Sequence, residues 1–412
     1  MKATCFSKVL LRDLGRIVTG KTPSSKKPEL FGDAYPFITP SEMGFGERIA
    51  KPVRFLSDEG ARAQASLMLP PGTVAFVCIA SIGKACVVKE ASFTNQQVNS
   101  IIVDAEHYDP EYVYYLLVFS RGRIQSYAGG AATPIINKSD FGAIEVSVPP
   151  LPVQRRIVSA LSVYDDLIEN NARRIEILEE MARRLYDKWF VQFRFPGHEG
   201  VEFRESELGL IPERWKVSTL DEFGEIITGK TPSKQNSEFF GCDVPFIKLP
   251  DMHGNTFIVE TSEYLSQEGA NSQRAKTIPP GSICVSCIGT AGVVVIASEF
   301  SQTNQQINSI VPRAPGMREF LFFLAKSLKG KINDYGATGA TMTNLSRGKF
   351  ASLQVIEPDE GVLSNYSKIT SPLFDKILCL QKTNCNLRAQ RDLLLPKLIS
   401  GEIDVSDIPM PT

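Results

Sequence analysis

Two Gly-Lys-Thr turns in this sequence match the pattern of loops that bind nucleotide phosphates. Gly15 to Thr22 and Gly224 to Thr231 each read as glycine, four residues, then Gly-Lys-Thr. A phosphate-binding loop of that type leads from a strand into a helix that begins at the Lys-Thr pair. Here Pro23 follows at once, and bulky aliphatic residues stand where a phosphate cradle needs small ones. We therefore interpret each motif as a turn whose Lys, Thr and Ser side chains face a phosphate backbone. A tandem nucleotide hydrolase stays as the enzyme alternative.

Other motifs that resemble catalytic or metal sites lack their necessary partners. Asp109-Pro110-Glu111-Tyr112 differs at its third position from the Asp-Pro-Pro-Tyr of adenine methyltransferases, and it is explained by a helix start with an Asp cap and Pro in the first turn. Cys284 and Cys287 form a single CxxC pair inside a predicted strand, without the second pair that a zinc site needs. The three histidines are scattered singly. We predict no catalytic residue and no metal ligand in this chain.

The motifs recur at one constant offset of 209 residues. Thr19-Gly20-Lys21-Thr22-Pro23-Ser24 returns as Thr228-Gly229-Lys230-Thr231-Pro232-Ser233, and Thr94-Asn95-Gln96-Gln97 returns as Thr303-Asn304-Gln305-Gln306. Chance matches scatter in their offset, whereas these share one. A period this long exceeds that of solenoid repeats. The chain is therefore predicted to be two copies of one unit, each able to hold its own core.

Each copy is predicted to be a mixed α/β globule followed by a long helix. Thr73 to Ala80 and Ser282 to Ile288 are apolar runs bounded by glycine-containing turns, which favours strands. Residues 151–193 instead show apolar positions in alternating steps of three and four, typical of a helix that pairs through a heptad seam of about 60 Å. The seam positions are Ile157, Leu161, Tyr164, Ile168, Asn171, Ile175, Leu178, Ala182, Leu185 and Trp189, and in the second helix Leu373, Ile377, Leu380, Asn384, Leu387, Leu394 and Leu398.

The exposed seam of each helix needs a partner, and the other helix is the nearest candidate. We predict an α+β fold in which two similar globules are separated by two long antiparallel coiled-coil helices with pseudo-two-fold symmetry. The alternative is that each helix packs on its own globule. The predicted boundaries are 1–150 for the first globule, 151–195 for its helix, 196–214 for a linker, 215–358 for the second globule and 359–412 for the C-terminal helix.

Composition limits the class of protein. The 412 residues are 43% hydrophobic and 22% charged, which suits a globular protein with a buried core. Lys plus Arg is 45 and Asp plus Glu is 46, so the net charge of −1 excludes a strongly basic chain but not a local basic patch. Arg16 to Lys27 contains four bases and no acids. No apolar run reaches the roughly 18 residues of a membrane helix. We expect a cytoplasmic protein with reduced thiols and no membrane association.

Taken together, these motifs resemble a specificity subunit of a type I restriction-modification system. The resemblance lies in the paired Thr-Gly-Lys-Thr-Pro-Ser turns, the Thr-Asn-Gln-Gln strands and the two helical spacers. It extends to Glu207-Leu208-Gly209-Leu210-Ile211-Pro212 with Trp215, and to the C-terminal segment from Arg391 to Ile403.

The resemblance implies a protein without chemistry of its own. Two target-recognition domains would each read one half of a split DNA sequence, while the helices set the gap between the halves. Such subunits assemble on double-stranded DNA with two modification subunits, which methylate adenine with S-adenosylmethionine, and with restriction subunits that translocate and cut using ATP and Mg²⁺. Those cofactors belong to the partners. A scaffold with two protein-binding globules stays as the structural alternative.

Three polar loops in each copy form the predicted DNA face, because their side chains suit phosphates and base edges. The alternative for each loop is a solvated turn. Thr94-Asn95-Gln96-Gln97 contains adenine-reading residue types, but it recurs unchanged in both copies, which favours a structural hydrogen-bonding role. The candidate DNA-binding residues are Lys21, Thr22, Ser24, Lys26, Lys27, Ser81, Lys84, Thr133, Asn137 and Lys138 in the first copy, and Lys230, Thr231, Ser233, Lys234, Lys248, Thr290, Thr341, Thr343, Asn344 and Arg347 in the second.

Overall fold

The computed structural model describes residues 6–129, 133–336, 343–406 and 408 of the 412-residue chain. Contacts divide the chain into two compact units, Met1–Glu169 with Asn386–Thr412, and Asn170–Cys385. Each unit contains one mixed globule and parts of two long helices, which confirms the predicted α+β class with repeated globules. The residue boundaries that the sequence predicts for each domain stay a prediction.

The first unit is built on two four-stranded sheets. Its central sheet has the order β2-β9-β6-β7, its second sheet the order β3-β5-β4-β8, and β1 pairs with β10. Its strands are β1 (Ser7–Leu10), β2 (Gly15–Thr19), β3 (Phe31–Gly32), β4 (Tyr35–Ile38), β5 (Phe55–Leu56), β6 (Val74–Val77), β7 (Ala85–Val87), β8 (Phe93–Thr94), β9 (Val98–Val103) and β10 (Glu145–Val148). Its helices are α1 (Asp58–Ala63), α2 (Pro110–Phe119), α3 (Arg121–Gln125), α4 (Lys138–Gly142) and the first part of α5 (Leu151–Tyr186).

Both faces of the central sheet are buried, which explains the continuous apolar run of β6. Val74 and Phe76 pack into a core with α2 and the long helices, while Ala75 and Val77 pack into a separate core on the opposite face. A strand covered on both sides has no solvent face and therefore needs no polar alternation. The predicted helix start is confirmed as well, because Asp109 Oδ1 accepts hydrogen bonds from the first backbone N–H groups of α2.

The second unit repeats this plan with one extra strand in the central sheet. The order there is β14-β23-β19-β21-β17, and a second sheet has the order β15-β18-β16-β22. Its strands are β11 (Phe203–Ser206), β12 (Gly209–Pro212), β13 (Lys216–Thr219), β14 (Gly224–Thr228), β15 (Phe240–Gly241), β16 (Val244–Ile247), β17 (Phe257–Ile258), β18 (Tyr264–Leu265), β19 (Ile283–Ser286), β20 (Ile288–Gly289), β21 (Val294–Ala297), β22 (Gln302–Thr303), β23 (Ile307–Pro312), β24 (Thr343–Asn344) and β25 (Gln354–Glu357). Its helices are α6 (Leu249–Met252), α7 (Gln267–Ser272), α8 (Arg318–Ser327), α9 (Lys329–Gly336), α10 (Arg347–Ala351) and the greater part of α11 (Glu360–Ile399).

The segment predicted as a linker carries its own hairpin. Strands β11 and β12 pair antiparallel, and Ile211 is fully buried in the core of the second unit. Trp215 stacks on Phe195 with ring centroids 5.3 Å apart. The aromatic residues thus fasten both ends of this segment to the second unit.

Within the described residues, no helix has both the length and the apolar composition to cross a bilayer.

The two long helices pair within the second unit through the predicted seam. Asn171 Nδ2 donates to Asn384 Oδ1 at 2.9 Å, and further along Tyr366 Oη donates to the carbonyl of Ala182 at 3.3 Å. The partner number falls as the first number rises, so the helices run antiparallel here. Asn171 and Asn384 are 8% and 4% exposed. The two polar members of the seam therefore satisfy each other inside an apolar interface, which is how a buried amide fixes helix register.

A buried ionic network anchors the first globule to its helix segments. The guanidinium of Arg391 lies 2.5 Å from Asp165 Oδ1 and donates to the carbonyl of Gly46 at 2.7 Å. Arg48, on the same loop as Gly46, reaches Glu111 on α2 at 2.8 Å and Glu169 on α5 at 2.9 Å. Burial alone would lower the pKa of both arginines, but the surrounding carboxylates raise it, so both guanidinium groups are charged.

The second globule uses an aromatic cluster at the corresponding place. At the offset of 209, Phe374 stands for Asp165. Phe257 follows Thr256, whose carbonyl accepts from Ile296 N as the carbonyl of Arg48 accepts from Val87 N. The rings of Phe257 and Phe374 are 6.2 Å apart, and Phe322 and Phe323 pack edge-on against Phe374 at 5.5 and 5.8 Å. The junction is therefore an ionic network in the first unit and an aromatic cluster in the second, where the Arg318 guanidinium lies 5.6 and 6.0 Å from the ring centroids of Phe257 and Phe374.

Candidate nucleic-acid interface

Three of the predicted loops meet at one end of the central sheet in the first unit. Thr19 at the end of β2 and Phe76 near the end of β6 both pair with Asn99 at the start of β9. The loops after β2 and β6 and the turn before β9 therefore leave the sheet at the same end. The last loop joins them, because Ile136 N donates to the carbonyl of Cys78 at 2.9 Å. We call residues 20–27, 78–84, 95–97 and 133–138 the loop end of the first unit.

The second unit brings the corresponding loops together in the same way. Thr228 at the end of β14 and Val285 in β19 both pair with Asn308. Strand β24 pairs with β20, which places the last loop beside the middle one. We call residues 229–236, 287–291, 304–306 and 343–347 the loop end of the second unit. Lys248 follows β16 at this end, since Asn304 N donates to the carbonyl of Ile247 at 3.1 Å.

The first loop is held in an identical frame in both units. Thr22 Oγ1 donates to Gln96 Oε1 at 2.7 Å, and Thr231 Oγ1 donates to Gln305 Oε1 at 2.7 Å. The repeated Thr-Asn-Gln-Gln segment supplies these acceptors, as expected of a structural role. Gly20 lies so close to the next segment that a Cβ atom there would stand 2.2 Å from the carbonyl oxygen of Thr94. The Gly-Lys-Thr turn is thus shaped by contact with the sheet.

The phosphate-cradle geometry is absent from both Gly-Lys-Thr turns. Gly15–Thr19 and Gly224–Thr228 are strands β2 and β14, so the four residues between the glycines pair with a neighbouring strand. No α-helix begins at either Lys-Thr pair within these described segments.

The two thiols of the CxxC pair lie in different cores, Cys284 in one and Cys287 in the other. Burial raises the pKa of both, to about 12 and about 11.

Most of the predicted DNA-contacting residues are exposed at the two loop ends. The first loops carry two or more exposed lysines each, and cations on a common surface attract phosphates. The exposed members are Lys21, Thr22, Ser24, Lys26, Lys27, Ser81, Thr133, Asn137 and Lys138 in the first unit, and Lys230, Ser233, Lys234, Thr290, Asn344 and Arg347 in the second. Thr343 lies in β24, and Thr341 lies outside the described residues.

Several candidate side chains are engaged within the protein. Lys84 Nζ donates to the carbonyl of Pro40 at 2.8 Å, and Lys248 Nζ lies 3.1 Å from Glu263 Oε2. Arg347 Nε donates to the carbonyl of Ile226 at 2.8 Å. Asn137 caps α4 by accepting from Asp140 N at 2.9 Å. These residues, like Thr22 and Thr231, shape the loop ends, and their contact with DNA stays a prediction.

Sequence reasoning missed an exposed aromatic residue beside the middle loop of the first unit. Phe45 is 53% exposed, and the Lys84 ammonium and the Arg121 guanidinium lie 5.7 and 5.2 Å from its ring centroid. Its placement between Gly44 and Gly46 was the available signal, because a large apolar residue flanked by glycines suits a projecting turn.

One exposed group of metal-ligating residue types lies at the opposite end of the sheet. Asp104, Glu106 and His107 follow β9, and their ligand atoms are within 4.8 Å of one another. His107 Nδ1 lies 2.9 Å from Asp104 Oδ2, and this hydrogen bond lowers the pKa of Asp104. Exposed acidic groups of this kind are common without a bound ion, so we assign the group no metal-binding role.

The chain belongs to the family of type I restriction-modification DNA specificity subunits. The model of the type I restriction modification DNA specificity domain matches residues 6–180 and 212–375, which is most of the chain and includes both globules.

Individual relatives agree with this assignment. The chain is similar to the type I restriction enzyme HindI specificity subunit of Haemophilus influenzae, with 32% identity over 355 residues that cover 71% of this chain and 77% of the relative. It is also similar to the MjaIX specificity subunit of Methanocaldococcus jannaschii, with 27% identity over 408 residues that cover 97% of this chain and 93% of the relative. The solved structure of a type I system S subunit from M. genitalium shares the fold, with a TM-score of 0.57 at 17% identity and 97% coverage of both chains.

Proposed function

We propose that this chain is the DNA-reading subunit of a type I restriction-modification complex, with one half of a bipartite target read by each loop end. The observation that carries the proposal is the duplicated loop end. Two copies of one hydrogen-bonded frame present exposed lysines with different neighbouring side chains. Shared cations suit the sequence-independent phosphate backbone, whereas differing polar residues suit base edges that vary with sequence.

The first loop illustrates this division between frame and reader. Its frame residues are the same in both units, but Lys26 and Lys27 of the first unit are replaced by Gln235 and Asn236 at the offset of 209. Lysine pairs with guanine O6 and N7 or with phosphate, while glutamine and asparagine pair with adenine. Asn236 stands at the start of a short helical turn but does not cap it with its side chain. Because the same loop frame carries different side chains in the two units, the two half-sites should differ in sequence.

The long helices are proposed to fix the gap between the half-sites and to dock the partners. Two modification subunits would bind S-adenosylmethionine and methylate adenine, and restriction subunits would use ATP and Mg²⁺. The chain itself would contribute recognition and no catalysis. The register defined by the Asn171–Asn384 pair supports a constant spacing, because sliding the seam would leave two buried amides without each other.

Methylome sequencing tests the proposal directly. The chain would be produced with its modification subunits in a host that lacks adenine methylation, and methylated adenines would be mapped by single-molecule sequencing. We expect one bipartite motif with a constant gap. Replacing Lys26→Gln and Lys27→Asn together should change the motif in one half and leave the other half and the gap unchanged.

Two results would contradict the proposal. One is a methylation pattern that is the same without this chain, which would remove it from sequence recognition. The other is a change in both half-sites upon the double replacement, which would refute the assignment of one half to each loop end. As a matched control, Lys397→Gln on the exposed side of α11 should leave the motif unaltered.

A further inference from the structure

The projecting Phe45 is held out by an anchored loop. On one side, Met43 is 2% exposed and packs into the core. On the other side, the carbonyl of Gly46 accepts from Arg391, and Arg48 is fixed by carboxylates on α2 and α5. Both neighbours of the turn are therefore tied down. The turn therefore holds the ring of Phe45 in solvent.

Two cations lie over this ring, Lys84 from the middle loop and Arg121 from the start of α3. Lys84 is oriented by its hydrogen bond to the carbonyl of Pro40 at 2.8 Å. The side chain of Arg121 passes directly over Gly83, where a Cβ atom would stand 2.3 Å from Arg121 Cγ. Gly83 also has a φ of +103°, a conformation that glycine adopts readily. The backbone is thus shaped to let Arg121 reach Phe45.

We propose that Phe45 inserts between stacked bases of duplex DNA, with Lys84 and Arg121 bound to the phosphates on either side. The inference rests on the proposed function and adds to it a contact that unstacks one base step. Apolar side chains are known to act as wedges of this kind, and flanking cations offset the phosphate charge that a wedge must approach. The nearby acid, Glu47, is folded over Gly44, where a Cβ atom would stand 2.5 Å from its Oε2.

The wedge belongs to one half of the target. At the offset of 209, Gly254 stands for Phe45 and Val293 stands for Lys84, so the second unit carries neither the ring nor the amine at these positions. The half-site read by the first unit should therefore contain the distorted step. Pyrimidine–purine steps unstack most easily, so we expect one of them at the insertion point.

Fluorescence of 2-aminopurine tests this proposal in the assembled complex with its modification subunits. The probe is a duplex that carries the target found by methylome sequencing, with 2-aminopurine placed at successive positions of both halves. Adenine methyltransferases flip their target base out of the duplex, so brightening is expected at the target adenine of each half. Wild-type complex should brighten one further position, in one half, because unstacking relieves quenching. Phe45→Ala should abolish the brightening at that further position and weaken binding by roughly 5- to 150-fold, the range for loss of one base–aromatic contact. Phe45→Trp should keep both.

Phe300→Ala is the matched control. Phe300 is 64% exposed and follows β21 at the end of the second unit's central sheet that lies opposite the loop end. It should change neither affinity nor fluorescence. Unchanged brightening and affinity with Phe45→Ala would overturn the wedge alone. Loss of modification subunits from the purified Phe45→Ala complex, with brightening intact, would also overturn it and place Phe45 at a protein interface. Failure of the wild-type complex to select the target duplex would overturn the proposed function itself.

Discussion

Replacing Arg391 by methionine should selectively destabilise the first unit. The substitution keeps much of the apolar volume but removes the cation that faces Asp165, whose side chain is 3% exposed. Tyr115 Oη still donates to Asp165 Oδ2 at 2.5 Å, but a neutral hydrogen bond does not replace a counter-charge. The carbonyl of Gly46 also loses its donor. An uncompensated carboxylate would then remain in the junction between globule and helices.

The distances give the size of the effect. At the 2.5 Å separation of the Arg391 and Asp165 atoms and an effective dielectric constant of about 20, the gross attraction is about 7 kcal/mol. Part of this only offsets the desolvation of both ions, and removal of one partner from a buried pair costs about 3–5 kcal/mol. With a urea dependence of about 2 kcal/mol per molar, the unfolding midpoint of the first unit should fall by about 1.5–2.5 M.

Two buried cysteines report on the units separately. Cys86 lies in the first unit and Cys284 in the second, both with 0% exposure, and burial raises the pKa of each thiol to about 12. Neither should react with iodoacetamide at pH 8 until its unit unfolds. Pulsed labelling across a urea gradient, followed by peptide mass spectrometry, therefore yields one midpoint per unit. Arg391→Met should shift the Cys86 midpoint and leave the Cys284 midpoint in place.

The reasoning would be refuted by a small shift at Cys86 or by an equal shift at both cysteines. Lys397→Met provides the control on the same helix, because its side chain is 52% exposed and lies 3.8 Å from Glu402. Exposed pairs of this kind contribute about 0–1 kcal/mol. Adding Asp165→Asn to Arg391→Met should recover most of the loss, because the buried charge disappears while an acceptor for Tyr115 remains.

Three further predictions test the loop end, the seam and an acid-sensitive contact. Lys21→Ala should weaken binding to all duplexes evenly and reduce the slope of log affinity against log salt by about 0.9 if Lys21 contacts one phosphate, whereas an unchanged slope would exclude it from the interface. Asn171→Leu should cost the second unit about 1–3 kcal/mol by removing the donor to Asn384, and the double Asn→Leu variant should regain most of it, as measured by urea unfolding at Cys284; a double variant no more stable than the single one would contradict the pairing. Burial alone would raise the pKa of Glu357, but hydrogen bonds from Arg313 and two neighbours lower it overall. Its contribution is therefore present above the unfolded-state pKa of about 4.3 and is lost as pH falls through the lower folded-state pKa, so the stability difference between wild type and Glu357→Gln should shrink between pH 5 and pH 2; a difference independent of pH would contradict this.

Repeats and local patterns predicted the class of fold well because they depend on near neighbours in the chain. The apolar run around Phe76 predicted a strand, and the cap at Asp109 predicted the start of α2. The heptad positions predicted a long helix, and Leu151–Tyr186 forms one. In each case a few neighbouring residues are enough to determine the local structure.

Contacts between distant segments could not be predicted in this way. The seam pattern marked Asn171 and Asn384 as polar exceptions, but their pairing depends on the register of two helices about 200 residues apart. Arg48 and Arg391 resembled ordinary surface charges, since nothing near them in sequence shows that they are buried with Asp165. Phe45 was overlooked for the same reason, because its two cations come from a distant loop and from α3.

The contrasting junctions of the two units should respond differently to temperature. Hydration of ions becomes less favourable as temperature rises, so the penalty for burying Arg48 and Arg391 falls on heating. The driving force for packing Phe257 against Phe374 weakens on cooling. Chilling should therefore weaken the packing of the second globule on its helices more than that of the first.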